Sequence, residues 1–170
     1  MGASLPREAT DQKGQSMTRI TVDTEIAAPI ERVFEVFTDL EQHSTRTANI
    51  HKIEVLTVGP FKLGARWIET REVLGQQDSA EMEVTAFERN RSYTITHHKA
   101  GARIDAVFTF TPVGDHTNVR VEFGLDSHGL PPGILAPVRW AIASKVRDVI
   151  GQDLADLQEF IEGSTGAPGH

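Results

Sequence analysis

Residues 20–42 read ITVDTEIAAPIERVFEVFTDLEQ, and this stretch holds two hydrophobic periods with a proline between them. From Arg19 to Ile26, the residues Ile20, Val22, Thr24 and Ile26 alternate with Thr21, Asp23 and Glu25, the period-two pattern of a strand with one wet face. After Ala28-Pro29 the period changes: Ile30, Val33, Phe34, Phe37 and Leu40 recur at three- and four-residue steps, one face of a helix. Pro29 suits the first helical position, where the N–H it lacks has no intrahelical partner anyway. A strand thus runs almost directly into a helix, and a polar stretch without a clear period, Asp39 to Asn49, follows.

Downstream of that stretch, period-two segments dominate. Lys52 to Val58 and Ala65 to Leu74 read as strands separated by Gly59-Pro60 and Gly64, which mark a turn. Ser79 to Phe87, Tyr93 to Lys99, Arg103 to Thr111 and Asn118 to Leu125 continue the pattern, with turn chemistry at Asn90, Gly101 and Gly114-Asp115. With the first strand this predicts a seven-stranded antiparallel sheet. Beyond Gly129-Leu-Pro-Pro-Gly133, the residues Val138, Ile142, Val146, Val149, Leu154, Leu157 and Ile161 recur at three- to five-residue steps over residues 134–162. That spacing predicts one amphipathic helix about 43 Å long, ended by Gly163 and open to a bend at Gly151. The class is therefore α+β, with a curved sheet wrapped around a long C-terminal helix.

Outside these elements, residues 1–16 (MGASLPREATDQKGQS) lack the apolar core of an export signal and read as a disordered N-terminal arm. Residues 17–163 form a single domain and residues 164–170 a flexible tail. The chain has 170 residues, 39% of them hydrophobic and 24% charged, a composition that suits one globular core. No run approaches the ~18 apolar residues of a membrane span, so stable membrane insertion is not expected. Twenty-four acidic against 17 basic side chains give a formal charge of -7, which disfavours nucleic acid as a partner. Zero cysteines exclude disulfides and thiol chemistry and fit a reducing cytoplasm. Oligomeric state leaves no trace in the sequence.

The order strand, helical region, six strands and long final helix resembles the START-related, birch-pollen-allergen-like superfamily, and within it the polyketide cyclase/dehydrase-like SRPBCC branch. The resemblance is carried by residues 20–42, by GARWIETREVLG at Gly64 to Gly75, and by FTFTPVGDHTNVRVEF at Phe108 to Phe123. It covers about residues 18–162 and implies a helix-grip fold, two short helices after the first strand, and a cavity between sheet and helix. That scaffold serves carriers, receptors, cyclases and chaperone activators alike.

Strand parity nominates the inward-facing residues. Ile20, Val22 and Ile26 on the first strand are joined by Met82 and Val84, and by Tyr93, Ile95 and His97. Ile104, Ala106, Phe108 and Phe110 follow, then Val119, Val121 and Phe123. On the final helix Val138, Ala141, Ile142, Lys145 and Val146 would close the space. Consecutive strand residues point to opposite faces, so parity with Tyr93 and Ile95 selects His97 over His98. A cavity imidazole can move a proton near neutral pH or bond a ligand carbonyl, and it can equally be a satisfied core histidine.

The strand after Gly64 is ambiguous. Trp67, Glu69, Arg71 and Val73 share one face, and Arg66, Ile68, Thr70, Glu72 and Leu74 the other. If Trp67 anchors the inner face, Glu69 and Arg71 point inward and pair with each other or with a polar ligand head; otherwise they form a solvated ladder. No histidine pair or carboxylate loop has metal-binding spacing, and no nucleophile elbow, phosphate loop or dinucleotide fingerprint is present, so neither metal nor cofactor is expected.

Three functions remain. The first is binding, transport or sensing of a small hydrophobic molecule such as a lipid or polyketide-like compound. The second is a cyclase, aromatase or dehydratase using His97, Tyr93, Glu69 or Arg71. The third is a protein-interaction module using the sheet face or the Gly129 to Gly133 loop.

Overall fold

A computed structural model of the chain describes residues 9–11, 15–73, 75–99, 102–126 and 136–165, with burial described for 19–73, 75–99, 102–126 and 143–164. Its elements in chain order are β1 (Ala9–Asp11), β2 (Gln15–Ile26), α1 (Ile30–Thr38), a single 3-10 turn at Leu40–Gln42, α2 (His43–Arg46) and β3 (Ile50–Val55). There follow β4 (Arg66–Val73), β5 (Gln76–Glu88), β6 (Ser92–Lys99), β7 (Ala102–Val113), β8 (His116–Asp126) and α3 (Ala136–Thr165). The strands lie in the order β1-β2-β8-β7-β6-β5-β4-β3, every neighbouring pair antiparallel. All seven strands expected from the sequence are present as a curved antiparallel sheet, and the three-residue β1 adds a short eighth at the edge.

Several boundaries differ from the sequence reading. Ala9–Asp11 and Gln15–Ser16 are strand, although they fall in the stretch read as a disordered arm. A three-residue backbone ladder carries no apolar alternation, so it left no signal to read. Pro29 is the cap residue of α1 rather than its first helical position, and its extended ψ of 153° delays the helix to Ile30. The helix α3 runs through Gly151 without a break and past Gly163 to Thr165. Ser164 Oγ donates to the Ile161 carbonyl at 2.8 Å and satisfies one of the terminal acceptors there. The Gly129 to Gly133 loop, Leu74 and Gly101 lie outside the described residues.

The junction between β2 and α1 is fixed from across the sheet: Thr117 Oγ1, fully buried on β8, donates to the Ala28 carbonyl at 2.9 Å. This holds α1 so that Val33, Phe34, Val36 and Phe37 enter the core. Phe34 and Phe37 meet Phe110 on β7 at ring-centroid distances of 5.1 and 5.4 Å. That contact defines the concave face of the sheet. Register then places the rest: Tyr93 opposes Phe108, Ile95 opposes Ala106 and His97 opposes Ile104, while Ala106 opposes Phe123 and Phe108 opposes Val121. The inward set predicted by parity on β6, β7 and β8 therefore shares one face.

The later half of α3 is tied to its surroundings by its apolar and polar sides together. Leu154, Leu157 and Ile161 are buried in the core. Gln158 receives a bond from Thr24 Oγ1 and donates to the Glu25 carbonyl, both at 3.1 Å, and Glu162 accepts from the Ala27 N–H at 2.9 Å. Asp156 accepts from the Ala48 N–H, also at 2.9 Å.

Candidate functional site

β4 turns Trp67 and Glu69 into the interior, where they are 1% and 6% exposed, and the orientation left open by the sequence is thereby settled. A buried carboxylate is costly unless it is paired. The Trp67 indole N–H donates to Glu69 Oε2 at 3.3 Å, and Arg71 Nε–H donates to Glu69 Oε1. The guanidinium reaches on to Asp153 Oδ2 of α3 at 2.7 Å, and Asp153 Oδ1 accepts from Asn49 Nδ2 at 3.2 Å. One chain of charge-assisted bonds thus joins β4, α3 and the segment before β3. Burial alone would lower the Arg71 pKa, but Glu69 and Asp153 outweigh it and push it up. Burial raises the Asp153 pKa against the pull of Arg71 and Asn49.

Beside this chain, the Phe37 carbonyl at the end of α1 accepts from two side chains. The Tyr93 hydroxyl donates at 3.5 Å and His43 Nε2 at 3.0 Å. Burial, and next the charge of Glu69, raise the Tyr93 pKa, so the phenol keeps its proton. Burial lowers the His43 pKa, which keeps that imidazole neutral with its proton on Nε2. The sequence reading did not nominate His43, because it lies in the polar stretch after α1 where no periodicity assigns a face.

His97 stands on the concave face and is half-buried, while His98 is exposed. Burial lowers the His97 pKa, opposed by the charge of Glu69, so the ring is neutral near pH 7. Among the described residues it makes no hydrogen bond.

The expected lining residues divide by burial. Trp67, Val84, Tyr93 and Val121 are fully packed in the core. Tyr93 stacks on Phe108 at 4.7 Å and meets Phe61 edge-on at 4.9 Å. Met82, Ile95, Ile104, Ala106, Phe108 and Phe123 face the same side yet are half-buried, as is Val146 on α3. Lys145, expected to help close the space, is exposed; its ammonium group stays in water. Val138 and Ile142 belong to α3, but their side chains lie outside the described set.

A concavity of about 780 Å³ opens on the outer surface between α2, the start of β3 and the end of α3, lined by Arg46, Ala48, Ile50, His51, Asp156 and Phe160 among others. None of the expected site residues borders it. Among the described residues no group of histidines and carboxylates is placed to hold a metal ion, and no helix is long and apolar enough to cross a membrane.

The structure is similar to that of the Zhui aromatase/cyclase from a Streptomyces species, with 16% identity and a TM-score of 0.76 over 90% of this chain and 98% of the other. A START superfamily protein from Mycobacterium smegmatis is 18% identical, with a TM-score of 0.62 over 86% of this chain and 95% of the other. Norcoclaurine synthase from Thalictrum flavum, solved as a point mutant, is 12% identical, with a TM-score of 0.69 over 91% and 100%. At these identities the likeness establishes the helix-grip fold. No curated protein matches the sequence. The model of the family described as polyketide cyclase / dehydrase and lipid transport matches residues 17–162, and the chain belongs to that family.

Proposed function

We propose that this chain binds a small hydrophobic molecule, a lipid or polyketide-like compound, between the concave face of the sheet and the first half of α3. The observation that carries this reading is the half-burial of six apolar side chains that face the interior: Met82, Ile95, Ile104, Ala106, Phe108 and Phe123. Apolar surface on the inner side of a sheet is normally packed away, and an apolar ligand with one or two polar anchors would complete it. His97 supplies a neutral polar group beside that surface, and we assign the opposing helix face to Val146 of α3. Without cysteines the protein suits a reducing cytoplasm, where we place it.

The test is displacement of bound anilinonaphthalene sulfonate by a panel of fatty acids and aromatic polyketides. The account expects competitive displacement by at least one class, and loss of that binding in Ala106→Phe with the fold retained. Binding that survives Ala106→Phe, or no displacement by any member, counts against it.

A second reading, an enzyme of the cyclase, aromatase or dehydratase type, is favoured by the state of His97. A neutral imidazole without a protein partner among the described residues is free to take a proton next to a ligand carbonyl and return it to the departing oxygen. Glu69 and Arg71 are already bonded to each other and Tyr93 to the Phe37 carbonyl, so they would shape and polarise the site rather than move protons. On this reading His97→Gln abolishes turnover of a poly-carbonyl substrate while leaving its binding within a few-fold, whereas for a carrier it changes affinity alone.

A further inference from the structure

The pairing between β5 and β6 stops short of both strands. Its last pair is Glu83 opposite Thr96, yet β5 begins at Gln76 and β6 runs on to Lys99. On their other sides both strands stay paired to these ends, β5 with β4 as far as Gln76 opposite Val73 and β6 with β7 as far as Lys99 opposite Ala102. The sheet therefore forks beyond Glu83 and Thr96, with residues 76–82 on one arm and 97–99 on the other.

One ion pair spans the fork. Parity with Val84 and Met82 turns Asp78 to the concave face, and parity with His97 turns Lys99 to the same face. The Lys99 ammonium donates to Asp78 Oδ2 from one arm to the other. This pair is open to water, with 51% of the Lys99 side chain and 37% of the Asp78 side chain exposed, so exchanging one partner costs little. The other cation at this end is held differently. Arg71 lies opposite Asp78 in the β4–β5 register, but its guanidinium bonds to Glu69 and Asp153, side chains only 7% and 16% exposed. Breaking that network would leave a buried carboxylate unpaired. Lys99 is thus the cation that can change partner.

Apolar rows lead away from it across the sheet. His97 opposes Ile104, which opposes Leu125, and Ile95 opposes Ala106, which opposes Phe123; all six are half-buried. The diagonal from Lys99 to Phe123, four residues along the strand and two strands across, is about 17 Å, the span of a medium-length acyl chain.

We propose, resting on the ligand site inferred above, that Lys99 anchors an anionic ligand head, a carboxylate that takes the place of Asp78 in the mouth of the fork while its apolar chain crosses the rows toward Phe123. A carboxylate held there stays in water and avoids the cost of burial, and the released Asp78 is hydrated likewise. An alcohol of the same chain length fills the same rows but gains no charge pair from the ammonium.

Displacement of the uncharged probe N-phenylnaphthylamine from the full chain by decanoate and by decanol separates head from tail. The wild type is expected to prefer decanoate at low ionic strength and to lose that preference in high salt. Lys99→Gln lowers the decanoate-to-decanol affinity ratio about fivefold, and Asp78→Asn, which removes the competing carboxylate, raises it by a similar factor. Both side chains are more than a third exposed, so circular dichroism should show an unchanged fold. If both compounds displace the probe with a ratio that neither substitution moves, the anchor is overturned and the hydrophobic site stands. If neither compound displaces it, the ligand reading falls and the anchor with it.

Discussion

Along β6, β7 and β8 the inward side chains lose burial in the same direction. Tyr93, Phe110, Val119 and Val121 are sealed beside α1, whereas Ile95, His97, Ile104, Ala106 and Phe123 are half-buried. The strands are continuous and their register does not change between the two ends. What differs is the cover. At the first end α1 and the later half of α3 supply aromatic rings and buried leucines. Along α3 itself, Ala143, Val146 and Val149 are half-buried and Ser144, Lys145 and Arg147 exposed. One sheet thus carries a sealed core and a less buried apolar stretch, and if the proposed ligand sits on the latter, stability and binding should separate along it.

The largest separation is expected from truncating large side chains at each end. Trp67→Ala removes a fully buried ring and the donor that bonds Glu69, and should cost about 3–5 kcal/mol in denaturant unfolding. Ile104→Ala, half-buried at the open end, should cost about 1 kcal/mol while weakening ligand binding. Equal losses would erase the distinction between the ends.

Arg71→Ala comes next. It leaves Glu69 buried without its cation and detaches Asp153, at about 2–3 kcal/mol, less than for a fully buried pair because the Arg71 side chain keeps 24% of its surface. Glu69→Gln combined with Arg71→Met should recover part of that loss, since the buried charge goes with its partner. If the double variant is no better than Arg71→Ala, the network does not act as a unit.

A pH effect follows, smaller in size. Burial depresses the His43 and His97 pKa values below the ordinary 6.5, so the unfolded chain binds more protons just below that pH. Their contribution to stability is present above about 6.5 and is lost as pH falls toward their native values. Asp153 acts oppositely. Its native pKa is raised from 3.8, so the stability associated with its protonation is present below 3.8 and is lost as pH rises through the raised value. A melting temperature that falls from pH 7.5 toward acid, with a shallower slope in His43→Gln, is the expected result; an unchanged slope would remove His43 from the account.

The smallest expected change in stability is that of Ala106→Phe. Filling space at the open end should alter unfolding by less than about 1 kcal/mol yet abolish ligand binding. A large destabilisation would mean that this end is already close-packed.

How much of this was legible in the sequence depended on whether one element carried its own signal. The passage from β2 to α1 was readable because the hydrophobic period changes across Pro29, and strand parity placed His97 inward with His98 outward. The orientation of β4 was not, since both of its faces carry charge and Glu69 is tolerated inside through Trp67 and Arg71 of the same strand, the latter held in turn by Asp153 on α3. His43 went unread for the same reason: a short helix in a polar stretch has no periodicity, and its role comes from the Phe37 carbonyl. The outer groove is assembled from α2, β3 and α3, which meet only in the fold.

The central claim is that the ligand occupies the open end of the concave face, and methyl NMR of the full chain with labelled methionine and isoleucine tests it most directly. On titration with anilinonaphthalene sulfonate or a fatty acid, the methyls of Met82, Ile95 and Ile104 should shift together to saturation, while those of Ile26 and Ile161, fully buried at the packed end, stay in place. Saturable shifts confined to Ile50 at the outer groove, with Ile95 and Ile104 unmoved, would contradict the account.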